Sequence, residues 1–205
     1  MAARRSLALF VLSGALAAAA CHPVGALVTG GVLDVVRCAP DTPVDSQTRF
    51  EQTDTDAIVV LGAAQIYGMT FLSGIDDGVD WRPTHGPTVT ARTDNGFVVA
   101  RLKARRGKHR YAIGRVSLQP EATDCYAFPS SSQLLIFNAP PGQVTYLGAY
   151  TVAYTSEGGV NRASLRADPA VTQTQANAYL VRRFPLIKPA LVTGPTEWVY
   201  RGVPE

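Results

Sequence analysis

The clearest pattern in the chain is a series of short apolar runs that begins after Asp56 and is interrupted by turn residues. Runs of about four to eight residues bounded by glycine, proline or asparagine are typical of β-strands. The predicted strands are Ala57–Gly62, Ile66–Leu72, Gly96–Lys103, Arg110–Leu118, Gln133–Asn138, Gln143–Tyr154 and Val160–Arg166.

Two connections between these runs predict hairpins. Ala104–Gly107 separates the third run from the fourth, so we expect these two strands to pair, with basic residues at the tip and flanks. Ala139–Gly142 has the sequence Ala-Pro-Pro-Gly, and proline followed by glycine favours a turn. A second hairpin is therefore expected between the fifth run and the sixth.

One segment has helical spacing. Asp168 is a suitable N-cap, Pro169 suits the first helical position, and apolar residues then recur every three or four positions as far as Phe184. Pro185 ends the pattern, because proline cannot continue a helix. We expect one helix over about 169–184.

Seven or more short strands with one late helix predict a mainly β protein. The expected architecture is an antiparallel β-sandwich with one C-terminal helix packed on it. The sandwich is predicted to be a single domain over 57–205, after a lead-in segment over 21–56.

The first twenty residues have the composition of a signal peptide. Arg4 and Arg5 precede the uncharged run Ser6–Ala20, which ends in small residues at Cys21. A basic start, a short apolar stretch and a small-residue cleavage site predict export. The run is shorter than the roughly 20 apolar residues that cross a bilayer, so an uncleaved membrane anchor is the weaker alternative.

With a cysteine at the cleavage point, the segment resembles a bacterial lipoprotein precursor. The family carries a leucine three positions before the cysteine, whereas Leu16 stands five positions before it here. The resemblance implies that Cys21 carries a lipid and holds the protein on a membrane of the cell envelope, facing the periplasm. The alternative is ordinary cleavage after Ala20, which leaves a soluble periplasmic or secreted protein.

The other two cysteines, Cys38 and Cys125, form an even pair once Cys21 is set aside. An exported protein lies in an oxidising compartment, so a Cys38–Cys125 disulfide is expected. The alternative is two buried free thiols. A metal site is not expected, since neither cysteine has a second ligand at the usual spacing.

Charge is uneven along the chain, although the net charge is only +3. This small value excludes the strongly basic signature of a nucleic-acid-binding protein. The region 95–120 has no acid, whereas 34–56 is mainly acidic. One interpretation pairs or solvates these charges; the other places a basic tip against anionic lipid headgroups or cell-wall polymers. The basic candidates for that contact are Arg101, Lys103, Arg105, Arg106, Lys108 and Arg110.

No residue pattern predicts catalysis, and no cofactor is expected. His85 near Asp76, Asp77 and Asp80 is the one arrangement that suggests a periplasmic or secreted hydrolase, or with the carboxylates alone a calcium site. The calcium loop lacks its distal glutamate, so a plain acidic turn is favoured. The tryptophans and tyrosines fit core packing better than carbohydrate stacking.

The segment 137–148, Phe-Asn-Ala-Pro-Pro-Gly-Gln-Val-Thr-Tyr-Leu-Gly, resembles part of a group of uncharacterised bacterial envelope lipoproteins with a β-sandwich domain. That resemblance implies a fold and no activity. Together with the N-terminal pattern it predicts a lipid-anchored, non-enzymatic binding or structural module that contacts another envelope protein or a cell-wall component. The alternatives are the hydrolase and a secreted inhibitor or adhesin-like module.

Overall fold

Strands make up most of the described chain, and one helix follows them near the C-terminal end. The structure, a computed structural model, describes residues 36–37, 44–84, 89–118, 124–127, 133–157 and 160–200. The helix is α1 (Gln173–Arg183), and the strands are β1 (Val36–Arg37), β2 (Asp56–Ala63), β3 (Gly68–Asp76), β4 (Trp81–Pro83), β5 (Val89–Asp94), β6 (Phe97–Lys103), β7 (His109–Ser117), β8 (Asp124–Ala127), β9 (Gln133–Phe137), β10 (Val144–Glu157), β11 (Val160–Ala167), β12 (Leu191–Thr193) and β13 (Thr196–Tyr200). The predicted mainly β fold with one helix is confirmed.

The strands form one connected, curled sheet of mixed direction. Its longest path runs β1-β8-β7-β3-β5-β6-β2-β10-β11, with β4, β9, β12 and β13 attached beside it. Strand β10 pairs in parallel with β2 and with β12, while the other named pairs are antiparallel. The expectation of a purely antiparallel sheet is therefore wrong. Strand β2 is buried on both faces, which explains why its apolar run does not alternate with polar residues.

Neither predicted hairpin forms. Strand β6 pairs with β2 and β5, whereas β7 pairs with β3, β8 and β9. Strand β9 pairs with β13 and β7, and β10 pairs with β2, β11 and β12. The Pro-Gly turn instead packs against an earlier loop: Gly142 has φ +67°, and a Cβ there would clash with the carbonyl oxygen of Gln52.

The hairpin next to β6 is made with β5, which the apolar pattern did not predict. Asn95 and Gly96 join the two strands with φ of +50° and +80°. Two consecutive residues of positive φ in a two-residue connection are the signature of a type I′ turn, for which Asn-Gly is preferred. This turn fixes the register that places Asp94 opposite Phe97.

Helix α1 begins later than predicted. Thr172 is the N-cap and forms a capping box with Gln175, while Asp168 accepts a hydrogen bond from Ala170 in the preceding turn. The predicted end is confirmed, because Phe184 caps the helix and Pro185 follows. Asp168 thus stabilises an Asp-Pro turn instead of the helix.

Two apolar clusters lie on opposite faces of β2. The main core takes Val59 and Leu61 and is enclosed by residues of β3, β6, β7, β9 and β10. The helix-side core takes Ile58 and Val60 and is covered by Tyr179 and its neighbours on α1. The helix therefore packs on the sheet, as expected, and a second apolar layer lies beneath it.

Candidate functional site

A cavity of about 490 Å³ lies between α1 and the β5–β6 hairpin. Pockets for small molecules commonly enclose roughly 300–1,000 Å³. We call it the helix-side cavity. It is lined by Val44, Asp45, Thr90, Ala91, Arg92, Thr93, Asp94, Phe97, Val99, Tyr179, Arg183 and Phe184.

The polar wall of the cavity comes from alternate positions of β5. Side chains two residues apart share one face of a strand, so Thr90, Arg92 and Asp94 point to the same side. Val89 and Ala91 point the other way and pack on the main core. Strand β5 thus joins the main core to a polar surface that faces the helix.

The opposite wall is aromatic and aliphatic. The rings of Phe97 and Tyr179 are stacked, with centroids 4.7 Å apart and an interplanar angle of 18°. Phe184 meets Tyr179 edge-on at 5.8 Å, and Val99 is almost fully buried beside them. These contacts hold the side chains in place, so the apolar wall is preformed.

Asp94 connects the two walls. Its Oδ2 accepts hydrogen bonds from the Tyr179 hydroxyl at 2.9 Å and from Arg183 Nε at 3.0 Å, and its Oδ1 accepts one from Asn95 at 2.9 Å. Burial raises the pKa of Tyr179 above its ordinary value, and the hydrogen bond to the Asp94 carboxylate raises it further. Asp94 therefore serves as an internal tie, and Tyr179 stays protonated at neutral pH.

The other charged side chains of the cavity differ in how many hydrogen bonds they make to other groups of the protein. Asp45 Oδ1 accepts hydrogen bonds from the backbone of Gln47 at 3.0 Å and from the Thr48 hydroxyl at 2.9 Å. Arg183 engages Asp94 through Nε alone. Arg92 is exposed, and its side chain makes no hydrogen bond or ion pair with any residue that the structure describes. Guanidinium donors are thus available at the mouth of an apolar-walled cavity.

Two of the predicted basic contact residues are engaged with the acidic segment. Arg101 Nε contacts Asp56 at 2.9 Å, Lys103 Nζ contacts the same carboxylate at 3.0 Å, and Arg101 also reaches Asp54 at 3.4 Å. Burial raises the pKa of Asp56, but the hydrogen bonds from Lys103 and Arg101 outweigh it and the pKa falls below its ordinary value of 3.8. The interpretation that pairs the acidic and basic regions is confirmed here.

Arg110 is also engaged, and it is buried. Its Nη1 lies 2.7 Å from Asp76 and 2.8 Å from Glu197, so it ties β3 to β13. Burial lowers the pKa of Arg110, but these two carboxylates outweigh it and the pKa is raised. Arg110 therefore lies in the interior and not on a basic tip.

The remaining basic candidates lie on the loop between β6 and β7. Arg105 is half-buried and its backbone bridges to Ala139. Arg106 and Lys108 are exposed, and neither has an ion pair in the described ranges. Arg106 lines a wide depression of about 620 Å³ together with residues 52–55. The predicted cluster is thus divided between salt bridges, the interior and two free cations.

The acidic turn after β3 is held by arginines. Asp76 contacts Arg110, while Asp77 and Asp80 lie 3.7 and 3.9 Å from Arg82. No group of three or more His, Cys, Asp or Glu in the described parts of the chain could hold a metal ion. His85 lies outside the described residues, and with it the arrangement that suggested a hydrolase.

The cysteine predictions fall largely outside the described residues. Cys21 and Cys38 are not described, and of Cys125 only the backbone is, where it pairs with Val36 of β1. No disulfide is seen within the described ranges. The same ranges include no helix with the length and apolar character of a membrane span.

Sequence reasoning missed the residues of the helix-side cavity. Arg92 and Asp94 lie on a strand with few large apolar residues, so no apolar run marks that strand in the sequence. The Asn95-Gly96 pair was the signal that could have revealed the β5–β6 hairpin.

Trp81, expected in the core, is fully buried, whereas Trp198 is exposed on β13.

The cavity supplies groups for binding: an apolar wall, a fixed carboxylate and two guanidiniums at its mouth. Such a combination holds a ligand in one orientation, because the apolar wall provides affinity and the few polar groups provide direction.

Comparison of the chain with protein-family models, with curated protein sequences and with solved structures gives no match.

Proposed function

We propose that this protein is a non-enzymatic binding module of the bacterial cell envelope, and that the helix-side cavity is where it binds. The observation that carries the proposal is the cavity itself. Its volume suits a small molecule or one residue of a larger polymer, and its walls combine stacked aromatic rings with unengaged guanidinium donors. The partner is then an envelope component with a part that enters the cavity.

The location in the envelope rests on the N-terminal sequence. Arg4, Arg5 and the small residues before Cys21 support cleavage and lipidation at that cysteine. In this proposal a lipid on Cys21 holds the chain on the membrane, and the lead-in segment 21–56 connects the lipid to the domain. The domain would then face the periplasm and meet envelope components there.

A Cys38–Cys125 disulfide belongs to the same proposal. An exported protein meets an oxidising compartment, which favours pairing of its cysteines. Cys125 lies opposite Val36 in the β1–β8 pair. Val36 stands two positions before Cys38 in the sequence. A disulfide there would tie the lead-in segment to the domain.

The curled sheet is proposed to work as a sandwich around the main core. Phe71 of β3 and Tyr111 of β7 share that core with Leu61 of β2 and Leu102 of β6. In this proposal the two halves of the sheet face each other across that core and give the rigid support that a preformed cavity needs.

Contact with an anionic surface remains a second candidate, carried by Arg106 and Lys108. Both are exposed on the loop between β6 and β7 without an ion pair among the described residues. Such a contact is weak at physiological salt, since two exposed cations contribute about 1 kcal/mol each at an anionic membrane. It would orient the domain on the membrane without replacing the cavity as the binding site.

Filling the cavity tests the proposed function. Val44 lines it from a loop and is only partly buried, so Val44→Trp adds bulk in the cavity without opening the main core. Envelope extract is passed over the immobilised full chain, and small molecules and glycan fragments that elute are measured by mass spectrometry. We expect a species retained by the natural chain and lost with Val44→Trp.

Val192→Trp is the matched control, because Val192 is an exposed valine on β12 and does not line the cavity. Thermal unfolding of each variant shows whether it is folded. Where Val44→Trp unfolds, Val99→Phe fills the same space from β6. Retention that is equal in the natural chain and in a folded, filled variant contradicts the proposed function.

A further inference from the structure

We infer that the ligand of the helix-side cavity is a small amphipathic anion, whose ring or short chain packs on the aromatic wall while its carboxylate or phosphate meets Arg92. This inference rests on the proposed function, since it names the ligand class of the same cavity. It depends on which carboxylates and guanidiniums of the cavity already have hydrogen-bond partners within the protein and which do not.

The carboxylates of the cavity are largely consumed by internal partners. Asp94 accepts from Tyr179, Arg183 and Asn95, so both of its oxygens are engaged. Asp45 uses Oδ1 to hold its own turn. A carboxylate that already accepts hydrogen bonds from the protein has less to offer a cationic ligand.

The guanidiniums retain unused donors. Arg183 engages Asp94 only through Nε, which leaves its Nη groups without a partner in the described part of the chain. The guanidinium of Arg92 has no hydrogen-bond or ion-pair partner there. A guanidinium carries five N–H donors in a planar fork that matches a carboxylate or a phosphate. The unused hydrogen-bond donors of the cavity therefore belong to its two guanidiniums.

The backbone leaves room for the Arg92 side chain to approach a ligand. Arg92 lies opposite Gly68 of β3, so no side chain competes for the space beside it on that strand. The pairing of β5 with β6 covers only Thr93 and Asp94, so Arg92 has no cross-strand neighbour on β6. Its stem is free to fold over the mouth of the cavity.

The apolar wall sets the other half of the ligand. Phe97, Val99 and Phe184 belong to the helix-side core, so a ligand that touches them continues an existing apolar cluster. An inorganic anion alone would leave this wall uncovered, whereas an apolar molecule alone would leave Arg92 unpaired. Only a ligand with both parts uses both walls.

Four small probes that share a phenyl ring test the inference by calorimetric titration of the full chain: phenyl phosphate, phenylacetate, 2-phenylethanol and phenethylamine. They carry an anionic phosphate, a carboxylate, a neutral hydroxyl and a cation on the same ring. We expect at least one of the anions to bind about ten-fold more tightly than 2-phenylethanol, the size of one charge-assisted hydrogen-bond pair. The tighter of the two anions identifies the headgroup as phosphate or carboxylate.

Variants of Arg92 test whether this side chain causes the tighter binding of the anions. Arg92→Gln should remove the ten-fold preference for the anion over 2-phenylethanol, and Arg92→Lys should restore part of that preference. Arg182→Gln is the matched control, since Arg182 is an exposed arginine of α1 outside the cavity lining. It should keep the full preference.

The outcomes separate this inference from the proposed function. If 2-phenylethanol binds as tightly as the anions, or phenethylamine binds more tightly, the cavity binds ligands but the anion inference is overturned. If Arg92→Gln keeps the preference for the anion, the assignment to Arg92 is overturned as well. If none of the four probes binds, the anion inference fails, whereas the proposed function is decided separately by the retention experiment with Val44→Trp.

Discussion

At the scale of single residues, Asp56 shows how charges that are scattered in the sequence are matched by the fold. It begins β2, and its carboxylate receives Arg101 and Lys103 from the neighbouring strand β6. The guanidinium of Arg101 also lies 5.7 Å from the centre of the Phe50 ring. Two cations of the basic region therefore pair with carboxylates of the acidic one, whereas Arg106 and Lys108 are exposed and have no ion pair among the described residues.

The pH dependence of stability tests this pairing. Folding lowers the pKa of Asp56 below 3.8, so the ionised carboxylate stabilises the fold above about pH 4, and this contribution is lost as pH falls through the lower, folded pKa. Asp56→Asn should reduce the free energy of unfolding by about 1 kcal/mol at pH 7 and by much less near pH 2. Urea unfolding at both pH values measures the difference.

Asp54→Asn is the control for that experiment, because Asp54 contacts Arg101 at the longer distance of 3.4 Å and has no contact with Lys103. It should change stability by less than Asp56→Asn at pH 7. Equal losses for Asp56→Asn at both pH values would show that the ion pairs do not stabilise the fold.

At the scale of elements, seven of the thirteen described strands could be predicted, and their partners could not. Apolar runs identify β2, β6 and β9, because the buried positions of these strands are occupied by several apolar residues in a row. Pairing depends on which turn has the correct backbone geometry. The Pro-Pro-Gly turn looks like a hairpin, yet Gly142 is required by close approach to Gln52, while Asn95-Gly96 makes the hairpin beside β6.

The helix start provides a test at the same scale. The Thr172 hydroxyl accepts a hydrogen bond from the backbone N–H of Gln175, and the backbone N–H of Thr172 donates one to the side-chain oxygen of Gln175. Thr172→Ala should therefore cost about 1 kcal/mol of stability. Asp168→Ala removes only the hydrogen bond from Ala170 in the preceding turn and should cost less than about 0.5 kcal/mol.

Chemical denaturation of the two variants, side by side, decides where the helix begins. A larger loss for Asp168→Ala would place the cap at the position that the sequence pattern predicted. The helix matters for the site, since Tyr179 and Arg183 reach Asp94 from it. A frayed first turn would loosen one wall of the helix-side cavity.

At the scale of the whole molecule, the candidate site arises from parts that are far apart in the sequence. One face of β2 packs in the main core and the other in the helix-side core, so a second apolar layer forms under α1. Asp94 and Arg183 are 89 positions apart and meet only because the helix packs on that layer. The pattern of neighbouring residues does not indicate a contact between residues so far apart in the sequence, so the cavity could not be predicted.

The membrane anchor is the prediction that belongs to the whole molecule, because it sets where the cavity meets its ligand. Cells expressing the natural chain are labelled with a fatty-acid analogue, and the protein is isolated and measured by mass spectrometry. We expect label on a chain that begins at Cys21, and we expect Cys21→Ala to carry none. Cys38→Ala is the control, since that cysteine lies outside the signal region and should leave labelling unchanged. An unmodified Cys21 on the mature natural chain would contradict lipidation, and the domain would then act as a soluble exported protein with the same cavity.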